Sequence, residues 1–236
     1  MGNESEILDV VDKSIGSVCQ EYRSSPTRFY TENDIVCRLY SMILDGLPES
    51  VLNDADSRSQ SLIHMEYPTP FKCDMSENNF VVADPESRFH RGHYDLVVLD
   101  SKFVKSHTYL EAYGQSFSRC RETIIPWSAA NGPFILYGLE LMLVRRPLSE
   151  IKLTDEWNTW DNEMAKFWQD CEKLRVSKEM GFVREAKGIF FIRERSDKLE
   201  RYITSKVPTN GVICWGDQLQ DRKDLRETER PKLAKS

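Results

Sequence analysis

The stretch FILYGLELMLV, residues 134–144, is the most apolar run in the chain and carries a single charge, Glu140, at its middle. Eleven consecutive residues with almost no polar alternation predict a strand covered on both faces, the central strand of an α/β sheet. Gly132-Pro133 before it and Pro147 after it punctuate both ends. Burying an ionised carboxylate costs several kcal/mol unless it is paired, hydrogen-bonded or bound to a cation. The run therefore marks the centre of the fold and a residue that the centre must compensate.

Downstream, a long amphipathic helix is predicted from about Thr154 to Met180. Trp157, Trp160, Met164, Phe167, Cys171 and Leu174 recur along it at helical spacing. That stripe reads its tryptophans as core residues rather than as nucleobase platforms. GIFFIRE (188–194) and GVICWG (211–216) read as further strands. Upstream, HYDLVVLD (93–100) is a short apolar strand with one acid, Asp95, inside it. SLIHMEYPTPFK (61–72) is predicted as a strand closed by its two prolines, and residues 78–92 as a loop. Residues 101–133 read as a helical insertion ended by Gly132-Pro133.

At the N-terminal side, Ile7, Leu8, Val11, Ile15 and Val18 give residues 5–22 one helical face, broken by Ser24-Ser25-Pro26. A second helix starts with Thr31 as N-cap and Asp34 where a capping-box acid belongs. Its apolar face is Ile35, Val36, Leu39, Tyr40 and Ile43, and Gly46 to Pro48 end it. Helices and strands thus alternate around a buried sheet. The expected architecture is α/β, a central mixed β-sheet flanked by helices, in one domain over 1–216. A charged C-terminal tail, 217–236, is expected to be frayed.

The 236 residues suffice for one large core. No apolar run approaches the roughly 20 residues that cross a bilayer, and the acidic N-terminus MGNESEILDVVDKS has no signal-peptide core, so a cytoplasmic location away from membranes is expected. The six cysteines are scattered without a CxxC pair, which argues against zinc ribbons and disulfide frameworks. His90 and His93 alone make a poor metal signal. A net charge of −6 disfavours a general nucleic-acid coating protein but not an enzyme with a local basic cleft.

Asp95 and Glu140, each inside an apolar strand, would hold one Mg²⁺ if brought together, and that ion polarises phosphoryl oxygens and acidifies water. The bland alternative is a pair of acids neutralised by neighbouring basic side chains. The order of "FYTEND" opening a helix, "HMEYP" on a strand, "RGHYDLVVL" on the next and "GLELMLV" on a third resembles the PD-(D/E)XK, or restriction-endonuclease-like, superfamily over roughly residues 29–195. The resemblance implies a restriction-endonuclease-like core that hydrolyses DNA with Mg²⁺ or Mn²⁺. The ion would be held by Asp95, Glu140 and the backbone carbonyl of Leu141, with Glu32 in support from the helix. Oligomers are frequent in that superfamily. Glu66, Arg91 and His93 are further candidates for site support or phosphate contact.

The family's E-x-K lysine is missing: Met142 stands two residues after Glu140, and a thioether supplies no positive charge. Losing such a stabiliser costs a factor of about 10²–10³ in rate. Three readings follow. The lysine has moved to Lys173 or Lys166 on the next helix, with Lys102 a poorer candidate. The domain is a catalytically silent relative kept for binding nucleic acid or protein. Or Glu111 is the third-strand acid, the weakest of the three because its apolar run is short and Tyr113 occupies plus two.

Overall fold

A computed structural model describes residues 4–216 apart from 48, 76–79, 114–116, 145–155, 194, 196 and 206. The side chains of 156–163, Trp157 and Trp160 among them, lie outside the described set, as does the tail from 217.

Helix α1 (Glu4–Ser24) buries Ile7, Val11, Ile15, Val18 and Tyr22 on one face. Helix α2 (Glu32–Gly46) opens with the expected box: Thr31 Oγ1 accepts from the Asp34 N–H, and the Asp34 carboxylate accepts from the Thr31 N–H at 2.8 Å. Two short strands, β1 (Val51–Asn53) and β2 (Ser59–Ser61), form a hairpin of their own. The main sheet then begins with β3 (Ile63–Asp74), β4 (Val81–Ala83) and β5 (Arg91–Leu99). Helices α3 (Ser101–Ser106), α4 (Tyr109–Ala112) and α5 (Phe117–Asn131) follow. The chain continues through β6 (Ile135–Val144), α6 (Glu156–Glu179), β7 (Val183–Ile192), α7 (Asp197–Thr204) and β8 (Gly211–Trp215).

The six-stranded order is β4-β3-β5-β6-β7-β8. Strands β4, β3, β5 and β6 pair antiparallel, whereas β6, β7 and β8 run parallel, with α6 and α7 as the connections that parallel neighbours require. The sheet is therefore mixed and flanked by helices, α1 and α2 packing on β6 as α6 packs on β6 and β7. Strand β6 is buried along nearly its whole length, as its apolar run requires. No described helix is long and apolar enough to cross a membrane. No disulfide forms; five cysteines are buried and Cys37 is exposed.

Two expectations need correction. Strand β3 is not closed by Pro68 and Pro70 but runs through them to Asp74. The prolines fit because the β3–β5 register shifts between Pro68 and Lys72, which places the missing N–H groups at a bulge. Arg91 then serves the freed carbonyls, donating from Nε to Thr69 at 2.6 Å and from Nη2 to Pro68 at 3.2 Å. The segment 78–92 is not wholly loop either, since it contains β4 and the start of β5. Among the described residues of 101–133, helices α3, α4 and α5 bear out the helical reading, and α5 buries Cys120 and Ile124 in the main core.

Candidate functional site

The β5–β6 ladder pairs Leu96 with Leu139 and stops there, one residue short of Asp95 and Glu140. In place of the next backbone pair, Asp95 Oδ2 accepts the Leu141 N–H at 2.5 Å. A side-chain carboxylate thus substitutes for a rung of the sheet, and the two strand acids come to lie beside one another where the ladder opens. Asp95 is only partly exposed, while Glu140 is 2 % exposed.

Helix α6 enters this opening with Lys173, itself buried. Its Nζ lies 2.8 Å from Glu140 Oε1, donates to the His93 carbonyl at 2.6 Å, and reaches Asp170 Oδ1 at 3.2 Å. The lysine is placed by packing on both sides. Phe167, Cys171 and Leu174 bury the face of α6 that carries it, and Ser177 ties the helix to β5 through the Tyr94 hydroxyl at 2.7 Å. Glycines make the close approach workable: a Cβ at Gly92 would meet Lys173 Cδ at 3.2 Å, and one at Gly188 would meet Cys171 Sγ at 2.5 Å.

The electrostatics follow from depth. Burial pushes the Asp95 carboxyl up to about 7; the Leu141 N–H pulls the other way, and the charge of Glu32 on α2 adds to the rise. Burial likewise drives Glu140 well above the ordinary carboxylate range, against the pull of Lys173. Burial also works against the Lys173 charge, but Glu140 and Asp170 outweigh it and hold the ammonium protonated well above its usual value. Around one cation the fold gathers Asp95, Glu140 and Asp170, with Glu32 near enough for its charge to be felt.

This donor set fits a hard divalent cation. Glu140 Oε1 is enclosed and, although close to Lys173, has no aligned hydrogen bond. Asp95 has one oxygen committed to Leu141. Two carboxylates completed by water are the usual complement for Mg²⁺. Among the described residues no group of three or more His, Cys, Asp or Glu is placed to hold a metal ion, so the donors offered here are the two strand carboxylates alone.

The other candidates are distributed as follows. Leu141 meets Asp95 through its N–H. Glu66 stands midway between the Met65–Leu96 and Tyr67–Tyr94 pairs, across from Asp95, exposed and with φ of 52° in the middle of a strand. A positive φ at a non-glycine costs about 1–3 kcal/mol and clusters at functional positions. Arg91 is drawn to the β3 bulge, and its Nη2 also reaches Cys120 Sγ at 3.2 Å. The His93 side chain is exposed while its carbonyl anchors Lys173. Lys166 is exposed on α6, and Lys102 is exposed in the first turn of α3. Glu111 is no strand residue: it closes the α4 capping box, accepting from the Thr108 N–H at 2.8 Å. Asp170 joins the site from the segment Asp170–Leu174, which matches the D-x-x-K-L-like pattern of the resemblance, at i, i+3 from Lys173.

No family model, curated protein or solved structure matches the chain.

Proposed function

We propose that this chain is a restriction-endonuclease-like phosphodiesterase that hydrolyses DNA with a divalent metal. The observation that carries the reading is the meeting of Lys173 with Glu140 at 2.8 Å beside Asp95, which puts a lysine at the site despite Met142. Asp95 and Glu140 would hold Mg²⁺ or Mn²⁺, which when bound polarises the phosphoryl group and supplies an activated water. A divalent ion at these carboxylates would offset the cost of ionising two buried acids that share a single ammonium. Lys173 places its charge beside the phosphoryl group, and the Leu141 N–H fixes the Asp95 carboxylate.

Calorimetric titration of Mg²⁺ and Mn²⁺ into wild type, Asp95→Ala and Glu140→Gln, with a parallel plasmid-nicking assay, tests this. The expected result is metal binding by wild type alone and nicking reduced at least about 100-fold in both variants. A wild type that binds neither ion overturns the reading. A wild type that binds metal but cuts no single-stranded, duplex or supercoiled DNA favours a second reading, a silent relative that binds nucleic acid or protein. That second reading has its own support: Lys173 already donates to the His93 carbonyl and to Asp170 and is ion-paired with Glu140.

A further inference from the structure

Away from the acids, three cations converge on one aromatic ring. Lys72 Nζ lies 5.3 Å from the Phe117 centroid, Arg121 Cζ 5.5 Å and Arg91 Cζ 5.8 Å. The elements that meet here are the end of β3, the start of β5 and the first turn of α5, and Lys72 pairs with Arg91 across the β3–β5 ladder. Among the described residues none of the three is within ion-pair distance of a carboxylate. Each cation is drawn to the negative face of the ring, while three like charges at this spacing repel one another. In a chain of net charge −6, such a group is stabilised by an anion from outside.

The three differ in what they have left to give. Lys72 donates to the Ser87 carbonyl at 2.6 Å, and Arg91 is committed to the β3 bulge. Arg121 makes no hydrogen bond or ion pair among the described residues, so its fork of donors is open. Phe117 and Arg121 also line a groove of about 410 Å³ between α5 and the turn at Pro85. Glu86 and Glu122 line the same groove, so its positive end is the Phe117 ring. Arg91, His93 and Asp95 follow at i, i+2 and i+4 along β5, the more exposed side of that strand. Four residues of strand separate the Arg91 backbone from that of Asp95 by about 13 Å.

We propose that Arg121, held over Phe117 beside Lys72 and Arg91, is a phosphate seat for the DNA strand that enters the Asp95–Glu140 site. The seat rests on the hydrolytic reading for its substrate. It reads the backbone without regard to base sequence, because its contacts are charge and a guanidinium fork. The test is fluorescence anisotropy of a labelled 20-nucleotide strand and its duplex, in EDTA, over a range of salt. Arg121→Ala is expected to bind roughly tenfold more weakly than wild type, with a salt slope shallower by about 0.7–0.9. Arg121→Lys restores most of the binding and the slope. Lys13→Ala, which removes an exposed charge from α1, changes little. Equal affinity and slope for wild type and Arg121→Ala, an equal loss in Lys13→Ala, or no DNA binding by wild type would each overturn the seat. EDTA removes cleavage from the measurement, so the seat stands or falls on binding while the nicking assay judges the hydrolytic reading.

Discussion

Lys173 and Glu140 are a buried ionic pair whose value depends on both members being present. Removing one leaves the other desolvated and uncompensated, at a cost of about 3–5 kcal/mol, whereas replacing both by apolar residues of similar volume is often neutral. Lys173→Met is therefore expected to lower stability by about that amount in urea denaturation, and adding Glu140→Leu to recover a large part of it. A double variant no more stable than the single one would show that Asp170 and the His93 carbonyl, not Glu140, are the partners that matter. Asp95 makes a separate, pH-dependent prediction. An unfolded aspartate ionises near pH 3.9, but in the fold it holds its proton to about 7. The stability gained from that retained proton is complete below about pH 4 and lost as pH rises through 7. In EDTA, wild type should therefore lose stability between about pH 4 and 7 relative to Asp95→Asn, whose amide oxygen still accepts from Leu141. Parallel pH profiles for the two proteins would refute this.

The elements that sequence periodicity predicts well are those whose burial pattern is simple. Strand β6 is apolar apart from Glu140 because it lies between β5 and β7 with helices packed on it, and α1, α2 and α6 each bury one stripe. Strand β3 was misread because two prolines normally end a strand, and only a bulge sealed from across the sheet by Arg91 lets it continue. That device depends on a residue 22 positions away, beyond any local window. The approach of α6 to the sheet is also invisible locally, although it decides whether Lys173 reaches Glu140. Gly188 stands beside Glu140 in the β6–β7 register, and a side chain there would strike Cys171 and Phe167. Gly188→Val is expected to cost about 1–3 kcal/mol by overpacking and to weaken metal binding as α6 carries Lys173 outward. Cys171→Ala in that background should return part of both losses. A Gly188→Val protein with wild-type stability in chemical denaturation would show that α6 is not seated as described.

For the molecule as a whole, the α/β class and the mixed sheet were legible, because alternating helical and strand periods leave few other arrangements. That Asp95 and Glu140 each need a compensating partner was legible from the cost of placing acids in apolar strands. The open β5–β6 ladder and the left-handed backbone at Glu66 were not, since each arises only when distant segments meet. The anchoring of the site has an evolutionary corollary. Lys173 is held by the main-chain carbonyl of His93, and Asp95 by the main-chain N–H of Leu141. Neither contact depends on the side chain at position 93 or 141. A lineage carrying this arrangement is free to change the exposed side chain at 93, and at 141 needs only an apolar side chain that fills the core, while the lysine and the aspartate keep their places.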